Sequence, residues 1–330
     1  MDNLADAFLK LDRKEIALLK AIERGMRHCE WVPAEDLMAK TRLSPKAVIG
    51  GLSKLLAKKL VFKTKEPYEG YAIGFAAYDL IALSDLVDRD VVLSLGDLLG
   101  VGKESVVLEA LGRASSPPAA EMDAAEGAEE VADELPLAVK FHRQGETSFK
   151  QIRRVRDHLA DLPRCAWIHA ARLGAAKEFK TLKRLYPEVS VPRPVALSHH
   201  AVVMEHFGGT ELYRVDLEEP EGWLEAILEE AAAAWRRGIV HADLSPYNVL
   251  VREDGEMAII DWPQAVSRTH PRARELLERD MKNVVSHFQR KYRLDLELEE
   301  ALAFVLGESD EGVKEDQKIS REKKEDGRPS

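Results

Sequence analysis

Leu4, Phe8, Leu11, Ile16, Leu19 and Ile22 fall mostly at helical spacing, so the chain is expected to open with a helix over Asn3–Arg24. Pro33 marks the start of a second helix, Ala34–Lys40. Ser44 as N-cap and Pro45 in the first helical position start a third, Lys46–Lys59, with Val48, Leu52, Leu55 and Leu56 facing inward. Leu60–Lys63 and Gly70–Ile73 then alternate like strands around Lys65-Glu-Pro-Tyr-Glu69. Three helices followed by a β-ribbon make a winged helix-turn-helix over residues 1–85.

Beyond it the pattern shifts between strand and helix periods, which places the chain in the α+β class. Apolar runs flank Gly100 and Gly102, and Leu137–Phe141 reads as a further strand. Arg164–Leu185 and Ala273–Tyr292 carry helical patterns, while Ala201–Phe207 is an apolar strand running into glycines. Val249–Arg252 and Met257–Ile260 form a hairpin around Glu253-Asp254-Gly255-Glu256. These elements divide into an N-terminal lobe over 86–204, a C-terminal lobe over 205–306 and a charged tail over 307–330. The stretch Arg113–Glu134 is rich in Ala, Ser, Pro and acids, and the expectation there is a disordered surface insert. The tail is expected to be mobile.

A length of 330 residues suits two or three domains, and 45% hydrophobic residues suffice for packed cores. The net charge of −10 argues against indiscriminate nucleic-acid binding. The second and third helices with the ribbon depart from that balance, because Pro33–Lys65 holds eight basic residues against Glu35 and Asp36. Lys46, Lys54, Lys58 and Lys59 are the candidate RNA contacts on that surface. A solvated helix that packs on the rest of the protein, or binds another protein, fits the same charges. No apolar run reaches 18 residues and the start lacks a signal segment, so a cytoplasmic protein without a membrane association is expected. Cys29 and Cys165 are too few for a disulfide framework and read as small core residues.

The chemistry concentrates in His241-Ala-Asp243-Leu-Ser-Pro-Tyr-Asn248 and Ile259-Ile260-Asp261-Trp262. The spacing H-x-D-x-x-x-x-N places an Asp before a substrate hydroxyl and an Asn on a metal. The hairpin returns Asp261 beside Asn248, giving two hard oxygen ligands for Mg²⁺ on nucleotide phosphates. Upstream, Gly100-Val-Gly102-Lys103-Glu104-Ser105 suits a β-turn that approaches phosphates closely. It is not a Walker A loop, because Asp97 and Glu104 occupy positions that would be Gly and Ser or Thr. Leu137-Ala-Val-Lys140 matches the pattern that sets a Lys on the α- and β-phosphates. Glu178 is its candidate carboxylate partner; a solvated glutamate pairing with Lys177 or Lys183 is the alternative. Met204, Glu205 and Phe207 lie where a hinge would meet an adenine, or where a Met simply fills a buried strand.

With these pieces in order, the chain resembles the Rio-type atypical serine kinases, in their second branch with an N-terminal winged helix. The resemblance runs from about Leu4 to Leu306 and rests on the stretches just quoted together with Glu211-Leu-Tyr213-Arg214 and Ile260-Asp-Trp-Pro-Gln264. It implies a bilobal kinase-like fold without a long activation segment, and ATP and Mg²⁺ as cofactors. It also implies that Lys103, Ser105 and Lys140 hold the triphosphate, that Asp243 is the catalytic residue, and that Asn248 and Asp261 bind metal. In this family the metal-binding Asp is implicated as a transient phosphoryl acceptor, so Asp261 is expected to carry an aspartyl-phosphate that water clears. The implied partner is the pre-small ribosomal subunit, with its rRNA and proteins, in preference to a DNA operator. Two residues depart from the family: Ala242 stands where Gly is usual and Trp262 where Phe is common. Ala242 is tolerable unless its φ is positive. Three other functions compete. They are a protein serine kinase acting on a ribosomal or assembly protein, a small-molecule kinase, and a DNA-binding winged-helix regulator with a degenerate kinase lobe.

Overall fold

The computed structural model describes residues 4–66, 68–113, 134–143 and 166–308. The acidic insert, apart from Arg113 and Glu134 at its ends, the tail beyond Glu308, and Cys165 lie outside the described residues. The chain forms two compact units, one of Met1–Phe179 with Pro194–His206, the other of Lys180–Arg193 with Phe207–Ser330.

In the first unit, the helix expected over Asn3–Arg24 is two helices, α1 (Leu4–Leu9) and α2 (Arg13–Gly25). The break falls at Asp12, whose side chain accepts from Glu15 N–H while Glu15 returns the bond to Asp12 N–H. This reciprocal capping box fixes a new helix start, and helical apolar spacing alone does not reveal it. α3 (Ala34–Thr41) and α4 (Pro45–Ala57) follow, α4 capped by Ser44 with Pro45 in its first turn. The antiparallel ribbon β1 (Val61–Thr64) and β2 (Gly70–Ile73) gains a third member through a bridge from Val32 to Tyr71.

α5 (Phe75–Asp88) has no counterpart in the sequence reading. It is apolar nearly all round, so it lacks the one-sided stripe that betrays a surface helix. Tyr78, Leu80 and Ile81 join the core of α2–α4, while Ala82, Leu83 and Leu86 join a second core beneath the following sheet. That sheet runs in the order β3-β4-β5-β7-β6, all antiparallel, from β3 (Val92–Val101), β4 (Ser105–Arg113), β5 (Glu134–His142), β6 (Pro194–Ser198) and β7 (Ala201–Glu205). The one acid buried on α5, Asp79, takes both guanidinium nitrogens of Arg143 at 2.7 and 2.5 Å and His200 Nε2 at 2.8 Å. Burial alone would raise its pKa, but His200 and Arg143 outweigh it and hold Asp79 below the ordinary aspartate value. The pair ties α5 to the end of β5. α6 (Ala166–Leu185) sets Trp167 against Phe75 and Tyr78, and Arg172 Nη2 lies 2.9 Å from Glu23 of α2.

In the second unit, α7 (Pro220–Arg236), α8 (Ala273–Tyr292) and α9 (Leu298–Leu306) pack on one another. Two small sheets hold the loops of interest. One has the order β11-β10-β8, from β8 (Thr210–Glu211), β10 (Val249–Val251) and β11 (Met257–Ile259). The other pairs β9 (Ile239–Val240) with β12 (Val266–Ser267). Among the described residues no helix is long and apolar enough to cross a membrane.

Candidate active site

Lys140 lies on β5, paired with Val107 on β4 and Val202 on β7, in the interior of the sheet. Strand alternation puts His142 on the same face, and both side chains reach Glu178 of α6. Lys140 Nζ is 2.6 Å from Glu178 Oε1, and His142 Nε2 is 2.7 Å from Glu178 Oε2. All three residues are buried. Burial would raise the glutamate's pKa, yet the charge of Lys140 and the contact with His142 bring it down to about 2. The expected partner of Lys140 is therefore the one found, and the solvated-glutamate alternative is excluded by its burial.

The glycine turn sits between β3 and β4, closed by Gly102 N–H on Ser105 O at 2.8 Å. Arg143 N–H donates to Glu104 O at 2.6 Å, so the end of β5 steadies the same turn. Lys103 is exposed there and Ser105 half-buried. A Cβ on Gly100 would meet nothing within 4 Å, which leaves that side of the turn open. Met204 is buried, opposite Ala138 on β5, with Glu205 opposite Leu137. His206 N–H extends this pairing to Pro136 O at 3.0 Å. In the second unit, the ring of Phe207 stacks under Arg252 at 5.3 Å.

The loop from His241 to Asn248 belongs to the second unit. Asn248 Nδ2 donates to Asp243 O at 2.8 Å, which leaves its amide oxygen to face elsewhere, and Asn248 N–H closes on Ser245 O at 2.9 Å. Val249 pairs with Ile259, and Ile260 N–H donates to Asn248 O at 2.9 Å, so the hairpin brings Asp261 back next to Asn248 as the sequence predicts. Its strands are each one residue shorter than expected, with Gly255 at φ 88° in the turn. Asp261 has φ 68°, a left-handed conformation supported on both sides. His241 Nε2 lies 3.0 Å from Ile260 O, and Trp262 Nε1 donates to Ile259 O at 2.9 Å with its ring 4.4 Å from His241. Trp262 is thus a buried plug beneath the acid.

With this geometry in place, comparison with known proteins decides the family. The family model "Rio2, N-terminal" matches residues 8–89 and the model "RIO domain" matches residues 122–301. The RIO-type serine/threonine-protein kinase Rio2 of Methanocaldococcus jannaschii is 37% identical over 278 residues, 82% of this chain and 94% of that one. The chain belongs to the Rio2 family of serine/threonine-protein kinases. The Rio2 kinase of Schizosaccharomyces pombe is 32% identical over 86% of this chain and 78% of its own length. Among solved structures, the Rio2 kinase of Chaetomium thermophilum, described as an ADP/Mg²⁺-phosphoaspartate complex, matches with a TM-score of 0.73 at 25% identity. It covers 98% of this chain and 99% of its own.

For this Rio2-family chain the structure also adds residues that the sequence reading passed over. Asp280 of α8 is buried and accepts from Ala242 N–H at 2.7 Å and from Leu244 N–H at 3.0 Å. Arg279 donates to Ala242 O, and Asn283 Nδ2 to Leu244 O at 3.1 Å. One turn of α8 therefore grips the backbone on both sides of Asp243. Burial, with Asp243 beside it, raises the Asp280 carboxyl to about 7 against the pull of the two N–H donors and Arg279. The signal for Asp280 was an acid at the apolar spacing of Leu277, Met281 and Val284. The signal for His142 was its alternation with Lys140.

The departure at Ala242 matters more than its size suggests. Its φ is 63°, so the condition that makes alanine costly there is met. Two bonds from α8, Asp280 on its N–H and Arg279 on its carbonyl, hold it in that conformation. Of the candidate RNA contacts on α4 and the turn after it, Lys54 meets Asp12 at 3.3 Å and Lys58 meets Glu15 at 2.8 Å. Lys46 and Lys59 are exposed.

Proposed function

We propose that this chain is a Mg²⁺-dependent ATP phosphotransferase that works as an ATPase during small ribosomal subunit maturation, through an aspartyl-phosphate on Asp261. The observation that carries the reading is the hairpin that sets Asp261 beside Asn248 directly after the loop bearing Asp243. The phosphoaspartate named for the Chaetomium relative supports the same assignment.

The donor set fits the metal: an amide oxygen and a carboxylate are hard ligands, and Mg²⁺ takes one or two protein oxygens and completes its shell with phosphates and water. Asn248 and Asp261 would hold it. When bound, Mg²⁺ neutralises charge on the transferring phosphoryl group. The remaining chemistry belongs to the chain. Lys140, locked by Glu178, pairs with the phosphates, while Lys103 and Ser105 cover them from the glycine turn. An Asp261 oxygen bonds to the γ-phosphorus as the bond to the β–γ bridging oxygen breaks, and ADP leaves. Asp243 then takes a proton from water, which attacks the acyl phosphate, releases inorganic phosphate and restores the carboxylate.

The test is incubation with γ-labelled ATP, with and without precursor small-subunit particles. Label that is lost in hydroxylamine and absent from Asp261→Asn supports the intermediate. Stable phosphoserine on a ribosomal or assembly protein, with no labile label, would replace it with the protein-kinase reading.

A further inference from the structure

The N-terminal domain carries more positive charge than the α4 lysines, and that charge is better placed elsewhere. On α2, Ala17 and Ala21 lie one turn apart and leave a concavity of about 480 Å³. Lys20 and Arg24, four apart on α2, share a face along its wall, and His28, in the turn after the helix, lines it too. Lys40 and Thr41, at the end of α3, close the other side. Among the described residues no carboxylate lines the cleft.

The pairing pattern separates this cleft from the rest of the domain. Lys54, Lys58 and Lys63 meet Asp12, Glu15 and Glu69 within 3.3 Å. Among the described residues, Lys20 is the cleft-lining residue with such a partner, Asp88 at 3.1 Å. Arg24 and Lys40 have no ion pair among the described residues, and both are exposed. The nearest acid on α2, Glu23, is turned away into Arg27 and Arg172. Arg24 and Lys40 are the cations of the cleft left without a carboxylate among the described residues, so they gain most from an anion that neutralises them.

The geometry points to this cleft as a phosphate-binding subsite that takes backbone phosphates of structured RNA, with Arg24 and Lys40 as its principal cations and His28 as a hydrogen-bonding neighbour. This rests on the RNA partner proposed above and relocates the contact from α4 to the α2–α3 side. Phosphodiester anions suit it because guanidinium and ammonium groups on opposite walls can reach two oxygens of one phosphate, or neighbouring phosphates along a strand.

The experiment uses the full chain and a fluorescein-labelled structured RNA hairpin, with anisotropy measured over a KCl series. The variants are Arg24→Gln/Lys40→Gln in the cleft and Lys46→Gln/Lys59→Gln at α4 and the turn after it, with thermal melting confirming that each is folded. Loss of two phosphate contacts should weaken binding roughly tenfold at low salt and lower the log–log salt slope by about 2. The α4 pair should change both less. A cleft variant with wild-type affinity and slope overturns the assignment. Preference of the wild type for a DNA duplex competitor over the RNA overturns the occupant. A wild type that binds no RNA removes the RNA partner itself, and this subsite with it.

Discussion

Replacing Glu178 with Gln isolates the electrostatic part of the Lys140 site, because the side chain keeps its shape and loses its charge. Its pKa falls from 4.5 to about 2. At about 1.4 kcal/mol per pH unit, that gap corresponds to roughly 3 kcal/mol of folded-state stabilisation near neutral pH. Loss of one member of a buried ion pair costs a similar amount, about 3 to 5 kcal/mol. The sign follows from the lowered value. The contribution is fully present above the unfolded pKa of 4.5 and disappears as pH falls through about 2. Denaturant unfolding of wild type and Glu178→Gln should therefore differ by about 3 kcal/mol at pH 7. The difference should shrink steadily below pH 4.5. The fluorescence of Trp167, near the start of the same helix, reports on this unit. ATP affinity should fall in the same variant, since an unlocked Lys140 no longer points one way. A difference under 1 kcal/mol at pH 7, or one indifferent to acid, would refute the claim that the pair outweighs its own burial.

Three further changes probe the second unit. Asp243→Ala should cut ATP turnover by roughly 10²- to 10⁴-fold, the range for a general acid-base group, with ATP binding retained. Steady-state kinetics with separate kcat and KM would expose an error, since unchanged kcat removes Asp243 from the chemistry. Asp280→Ala strands the N–H groups of Ala242 and Leu244, each costing about 1 to 3 kcal/mol when buried without a partner. It should lower kcat more than it raises KM, and equal effects on both would argue that α8 does not position Asp243. Ala242→Gly should raise the melting temperature, because removing a left-handed alanine gains about 1 to 2 kcal/mol against roughly 0.4 to 1 lost to glycine's unfolded freedom. A lowered melting temperature would show that the φ of 63° carries no strain.

The readable parts of the fold were those where one local rule acts alone. Ser44 and Pro45 announce α4, and the turn at Gly255 announces the hairpin that returns Asp261 to Asn248. The unread parts are those where tertiary burial replaces periodicity. α5 is covered on both sides, by the helical core and by the sheet, so its residues show no polar face and no helical stripe. The Asp12 break was written in the sequence as Asp12-x-x-Glu15, but the apolar spacing across it stays nearly in phase and masks it.

The same distinction applies to the candidate site. Asp243, Asn248 and Asp261 are separated by fixed short spacings, so chemistry and geometry appear together in the primary structure. Asp280 reaches them from 37 positions beyond Asp243, and only the packing of α8 gives it a role. An acid on the apolar face of a helix is costly unless something satisfies it, and the two N–H groups flanking Asp243 do so. Burial drives the Asp280 carboxyl toward neutrality while its donors favour the anion, and the balance near 7 includes repulsion from Asp243. A cation bound near Asp243 would weaken that repulsion and favour the charged form of Asp280, which is the stronger acceptor for the loop. Metal binding and loop rigidity would then be coupled through one carboxylate. Amide exchange at Ala242 and Leu244 should therefore slow when Mg²⁺ and ATP are added to the wild type, and this response should be lost in Asp280→Asn. Equal slowing in both proteins would show that the loop is set without Asp280's charge.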